Sequence, residues 1–252
     1  MKLLTLARDL RRRKARERQH LFTVEGVRTV EELTRSTLRI HGVLVAPQLA
    51  DAPRGAALLD RLRERGVELL HVSAQEFSSA AETESPQGVL AIAAVPPHSL
   101  DTLALPQYAR VVVLDAVQDP GNVGTIIRTA AALGTTAVVA VPGTVDLWNA
   151  KVVRSAMGAG FFLPSFTTTW DALDAFRHRE SFALWGADAA GTPVHELKPP
   201  DRLALVVGNE GAGLSGDARQ RVDRLAALPI ASTVESLNVA VATGILLYQL
   251  RS

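Results

Sequence analysis

A chain of 252 residues with 47% apolar content is long enough for one large or two modest domains, each with a buried core. Its 27 Lys and Arg against 26 Asp and Glu leave a formal charge of +1, so bulk composition makes no case for a polyanionic partner. The absence of cysteine excludes disulfides and thiolate chemistry. No stretch has signal-peptide character or approaches ~20 apolar residues, which makes a soluble cytoplasmic protein the expectation and gives no membrane partner.

In chain order, residues 1–18 come first, with eight basic side chains (Lys2, Arg8, Arg11, Arg12, Arg13, Lys14, Arg16, Arg18) against Asp9 and Glu17. Such a block is either a phosphate-neutralising surface or a solvated basic helix. A helix is expected from near Gly26, with Val27, Val30 and Leu33 on its apolar side. Strand-like runs at Val43–Ala46, Val67–His71 and Gly88–Val95, with a helical pattern at Arg54–Arg65, predict a small α/β domain. Residues Pro96–Pro106 read as a linker. Short apolar runs follow at Val111–Leu114, Ala137–Val141, Phe182–Trp185 and Leu203–Val207, separated by helical segments, and predict a parallel sheet covered by helices. The domain expectation is therefore 1–97, a linker at 98–107, and 108–252. Six histidines (His20, His41, His71, His98, His178, His195) are scattered without an i, i+4 pair, so no metal site is expected.

Three segments carry chemistry. LDAVQDPGNVGTIIRTAAALG (114–134) runs from a buried strand through a Pro-Gly turn into a helix, with Asn122 as the expected N-cap. At about 100° per residue, Ile126, Ile127 and Ala130 share one side and Arg128 points away, toward solvent, ligand or another subunit. LALVVGNEGAGLS (203–215) leads a strand into Gly208, Gly211 and Gly213 around Asn209 and Glu210. The glycine spacing is not G-x-G-x-x-G and no Gly-Lys-Ser/Thr follows, which removes support from nucleotide-phosphate readings, a dehydrogenase among them. LPIASTVESLNVAVATGILLYQL (228–250) is a polar loop feeding an apolar helix; Ser232 and Glu235 have capping-box spacing. A helix apolar around its circumference needs burial on all sides, by its own sheet or by a second copy.

Together these segments resemble the three signature motifs of the SpoU (TrmH-type) RNA 2′-O-ribose methyltransferases, in the SPOUT superfamily. The resemblance rests on the spacing of Asn122 and Arg128, on Gly208–Ser215 and on Ser236–Gly244, with RSAMGAGFFLP (154–164) similar to the family's connecting segment. LFTVEGVRTVEEL (21–33) resembles the start of the RNA substrate-binding domain that precedes many family catalytic domains. The resemblance implies a C-terminal parallel-sheet α/β domain tied in a deep trefoil knot, S-adenosyl-L-methionine as cofactor, and a homodimer. It also implies methyl transfer to a ribose 2′-hydroxyl of RNA, ribosomal RNA (23S-type) first, with tRNA or a non-catalytic RNA-binding role as alternatives. By position it implies Asn122, Arg128, Glu210, Ser236 and Asn238 as the catalytic set, and Gly208, Leu228, Ile230, Leu237 and Asn238 around the cofactor. Arg128 is expected at the 2′-hydroxyl, as a base or by arranging a phosphate to act as one, with Glu210 fixing either Arg128 or loop amides. Arg11, Arg12, Arg13, Lys14, Arg16 and Arg18 are the expected RNA contacts.

Overall fold

The computed structural model describes residues 2–97 and 99–251, which leaves His98 outside the described residues. The chain divides into two units, Met1–Pro97 with Trp148–Phe161, and His98–Leu147 with Phe162–Ser252.

In chain order the first unit contains α1 (Lys2–Asp9), α2 (Arg13–Gln19), β1 (Leu21–Glu25), α3 (Val27–Arg35), β2 (Ile40–Val45), α4 (Pro53–Glu64), β3 (Leu69–His71), α5 (Ala74–Ala80) and β4 (Val89–Ala94). The strands form one mixed sheet in the order β1-β4-β2-β3. Alternation along the strands explains how this sheet is covered. Val43, Val45, Val89, Ala91 and Ala93 face a core with Val27, Val30 and Leu33 of α3 and Leu58, Leu59 and Leu62 of α4. The intervening Leu44, Leu90 and Ile92 face a second core made with Leu3, Leu4 and Ala7 of α1, with Leu10 just after it, and with Phe77 of α5.

The second unit contributes β5 (Ala109–Leu114), α6 (Pro120–Ala132) and β6 (Ala137–Ala140). The chain then returns to the first unit through Trp148–Phe161, where α7 (Ala150–Ser155) places Val153 in the first unit's core, with Phe161 beside it. This return lies inside the span 108–252 expected to form one domain. The second unit resumes with β7 (Ser165–Thr167), α8 (Trp170–Glu180), β8 (Ala183–Pro193), β9 (Arg202–Val207), α9 (Gly216–Arg221), β10 (Arg224–Ala227) and α10 (Val239–Leu250). Its sheet has six strands in the order β10-β8-β9-β5-β6-β7, and every pairing is parallel. Helices α8 and α9 cover one face through Leu173, Phe176 and Ala218. Strand β5 lies beside β9, yet the chain leaves β5 toward β6 and reaches β9 from the opposite side. That reversal opens a crevice at the carboxyl ends of β5 and β9, where ligands of open α/β sheets bind.

Four expectations need correction. The span 96–106 is not a loose linker, because Leu100 and Leu105 are buried in the second unit's core and a 3-10 turn forms at Leu100–Thr102. Asn122 is not the cap of α6: Pro120 occupies the first turn, which moves the start upstream to Asp119, whose carboxylate accepts from the Asn122 amide. Ser232 and Glu235 form no capping box, since α10 begins at Val239 and is capped by Asn238. Arg16 is buried and donates to the carbonyls of Leu10 (2.7 Å) and Arg11 (2.9 Å), just beyond the end of α1, so it leaves the set of RNA contacts.

Because Arg16 satisfies two carbonyls from a buried position, Arg16→Ala is expected to destabilise the protein by about 1.5–3 kcal/mol. Lys14→Ala, at an exposed position, is expected to change stability by less than about 0.5 kcal/mol. Urea unfolding followed by circular dichroism distinguishes the two.

Candidate active site

At the carboxyl end of β5 the chain turns through Ala116, a non-glycine residue at φ 57°. At the end of β9, Gly208 enters the second motif, and a Cβ there would stand 2.3 Å from the backbone of Gly213, so only glycine permits this closure. Asn209 fixes the loop in both directions. Its Oδ1 accepts from the amides of Gly211 and Ala212, each at 3.0 Å, and its Nδ2 donates to the Ala116 carbonyl at 2.9 Å. Buried Asp115 adds a second tie by accepting from the Ser215 amide at 2.7 Å. Neither Asp115 nor Asn209 was expected in the site. Both lie inside the motif strings, but only the fold shows that they join the two loops.

Glu210 is the centre of the polar set. Its Oε1 accepts from the Asp119 amide and from Asn122 Nδ2, both at 3.0 Å, and its Oε2 accepts from the Gln118 amide at 3.2 Å. The Oδ1 of Asn122 in turn accepts from Asn238 Nδ2 at 2.9 Å, and Asn238 Oδ1 accepts from the amides of Ala240 and Val241 at the start of α10. A carboxylate only accepts, so it dictates the orientation of both asparagine amides along this line. Burial pushes the Glu210 carboxyl up, but hydrogen bonds from Asn122 and the loop amides outweigh it and hold its pKa below the ordinary 4.5.

Beside this line lies a cavity of about 420 Å³. Gly208, Leu228, Ile230 and Leu237 line it, together with Glu210 and Ser236. Asn122, Asn238 and Arg128 are not part of its wall. Asn238 therefore belongs to the framework rather than the lining. Within this chain Glu210 accepts from the loop amides, and Arg128 is exposed on α6. On α10, Ala240, Thr243, Leu246 and Leu247 are buried, whereas Val241, Ile245 and Tyr248 are exposed at i, i+4 and i+7. The rest of the chain, chiefly α6, thus covers only one side of that helix. The expected RNA contacts Arg12 and Arg13 pair with Asp9 and Glu17, Arg11 reaches the Ser79 carbonyl, and Lys14 and Arg18 are exposed. No helix among the described residues is long and apolar enough to cross a membrane.

Residues 109–248 match the SpoU rRNA Methylase family and residues 5–91 the MRM3-like substrate binding domain. The chain is 37% identical over 245 residues to 23S rRNA (guanosine(2553)-2′-O)-methyltransferase RlmP of Bacillus subtilis, covering 97% of this chain and 94% of that protein. It is 31% identical over 239 residues to 23S rRNA (guanosine-2′-O-)-methyltransferase RlmB of Photobacterium profundum, covering 91% and 95%. The SpoU methyltransferase AviRb of Streptomyces viridochromogenes, solved in complex with AdoMet, superposes with a TM-score of 0.89 at 27% identity, covering 99% of this chain and 97% of that one. A structure concerned with 2-OH methylation of C/U34 on tRNA covers only 57% of this chain, with a TM-score of 0.52 at 25% identity and 95% of its own chain matched.

Replacing Glu210 by Gln puts a donor where four donors already converge, and the expected result is lower stability at neutral pH. Since the folded carboxyl titrates below 4.5, its contribution is complete above that value and disappears as pH falls through the depressed pKa. Urea midpoints of wild type and Glu210→Gln should accordingly differ at pH 7 and converge on acidification. A constant gap across pH would contradict the assignment.

Proposed function

The chain belongs to the SpoU rRNA methylase family, and from that membership we propose that it methylates a guanosine ribose 2′-hydroxyl in 23S-type ribosomal RNA, as an S-adenosylmethionine-dependent enzyme of the cytoplasm. The observation that carries this reading is the unbroken line Glu210, Asn122, Asn238, which joins all three motif segments beside one cavity. Ribosomal RNA is favoured over tRNA by coverage: the ribosomal relatives span both units, and the tRNA structure spans little more than one.

The cavity fits the donor. Leu228, Leu237 and Leu246 offer apolar surface, and Asp188, Glu210 and Glu235 outnumber Arg219, which suits a ligand of net positive charge. When bound, S-adenosylmethionine supplies a methyl group on a sulfonium, the electrophile of the reaction. The rest falls to the chain. An oxygen–carbon bond forms at the 2′-hydroxyl as the sulfur–carbon bond breaks, and the hydroxyl proton must pass to an acceptor. A guanidinium is a poor base, so the role of Arg128 in this reading is to hold the neighbouring RNA phosphate where it takes that proton. Asn238 caps α10 and donates to Asn122, which ties it to Glu210, and Ser236 faces the cavity from the third motif.

Arg128 does not line its own chain's cavity, and Val241, Ile245 and Tyr248 leave an apolar strip exposed on α10, which packs against α6. Both observations favour a homodimer in which that strip is covered and Arg128 serves the partner's cavity. A knotted passage of the C-terminal segment belongs to the same reading. The first unit would capture RNA, with Arg11, Arg12, Arg13, Lys14 and Arg18 exposed on its N-terminal segment.

Two measurements test these roles. Arg128→Ala is expected to lower kcat for methyl transfer by at least about 100-fold, within the range for a group acting on proton transfer, while S-adenosylmethionine affinity is unchanged; near-normal kcat with weaker RNA binding would remove its catalytic role. Lys14→Glu with Arg18→Glu is expected to weaken RNA binding and to flatten its salt dependence by roughly 0.7 per lost phosphate contact on single-stranded RNA. An unchanged salt slope would exclude this surface.

A further inference from the structure

Strand β8 does not pair evenly with β10. Leu225 stands opposite Gly186, but the next residue, Ala226, stands opposite Thr192, so residues 187–191 leave the ladder as a bulge. Gly191 makes this possible, because a Cβ there would lie 2.6 Å from the carbonyl carbon of Leu225. The bulge carries Ala187, Asp188 and Ala189 into the cavity wall beside Val207 and Gly208.

Within the bulge Asp188 is held from two sides. Its Oδ1 accepts from the Ala190 amide at 2.9 Å, and its Oδ2 accepts from Arg219 Nη2 at 2.5 Å. The Asp188 side chain is 15% exposed and that of Arg219 47%, and both line the cavity. Each carboxylate oxygen retains acceptor capacity, and the two oxygens are spaced for two neighbouring hydroxyls. Arg219 largely neutralises the aspartate, which makes it a fixed, low-charge acceptor suited to neutral O–H donors rather than to an ammonium or sulfonium. Glu210, in contrast, is occupied by Asn122 and the loop amides.

We infer that Asp188, oriented by Arg219 and the Ala190 amide, accepts hydrogen bonds from the vicinal ribose hydroxyls of the bound adenosyl donor. Asp188 is then a specificity determinant for the ribose and Arg219 a positioning residue acting through it. This rests on the reading of the cavity as the donor site. No bond is made or broken here, so the effect falls on donor affinity and not on the transfer step.

The test is calorimetric binding of S-adenosylhomocysteine and its 2′,3′-dideoxy analogue to the full chain. Wild type should prefer the diol by at least about tenfold, the range for hydrogen bonds to a charged group. In Asp188→Ala the two ligands should bind within about threefold of each other, because the preference resides in the removed carboxylate. Asp188→Asn keeps the side-chain shape and one acceptor oxygen, so it should show an intermediate preference and serves if the alanine variant does not fold. Equal binding of both ligands by wild type, or a full preference retained in either variant, would overturn the inference. Failure of wild type to bind S-adenosylhomocysteine at all would instead overturn the donor site itself.

Discussion

Glu210 can accept hydrogen bonds but cannot donate them, and three segments far apart in the chain are arranged around that asymmetry. The amides of Gln118 and Asp119 and the side chain of Asn122 point at it from the first motif. Asn122 is thereby obliged to turn its oxygen toward Asn238, and Asn238 to turn its oxygen toward the first amides of α10. One negative charge thus sets the polarity of a line that ends at the positive end of a helix, where an accepting oxygen is favourable. The cavity beside it exists because the loops are held apart at a fixed distance, and Asn209 and Asp115 hold the other end of the same loops.

The N-terminal segment illustrates how charge can mislead when burial is unknown. Eight cations before position 19 suggest a surface, yet Leu3, Leu4, Ala7 and Leu10 from the same stretch close one face of the first sheet. Arg16 is consumed in satisfying carbonyls at the end of α1, while Arg12 and Arg13 have acidic partners nearby in sequence. What remains for a polyanion is narrower than the composition implied. Composition counts charges, and only packing says which of them are free to act.

Much of the architecture was legible because it depends on local periodicity. The four buried strands of the second unit and the helix carrying Val27, Val30 and Leu33 could be read from apolar runs and 3.6-residue spacing; each begins within a few residues of its expected start, but β8 runs on to Pro193 where Phe182–Trp185 was expected. The short strands β1, β7 and β10 gave too little pattern to be recognised. Helix caps were misassigned although the true cap lay in the same segment: Asp119 before Pro120 takes the place given to Asn122, and Asn238, already at the helix entrance, caps α10 in place of a Ser232–Glu235 box. Asn122, Glu210 and Asn238 could be named one by one from the sequence, but not as a circuit. No spacing rule states that Asn122 bonds to a residue 116 positions later, or that a bulge at 187–191 brings Asp188 to the same cavity. The exposed strip on α10 was likewise invisible, because a sequence apolar all round does not say which side the rest of the chain covers.

The most direct test of the account is a double-mutant cycle on S-adenosylmethionine affinity, with Glu210→Gln and Asn238→Ala made singly and together. If the three segments are held by one hydrogen-bonded line, either change should disable it, and the double variant should bind scarcely more weakly than the worse single one, giving a coupling of roughly 0.5–3 kcal/mol. Strictly additive losses would mean that Glu210 and Asn238 act independently, and the account of a single bracing line would be wrong.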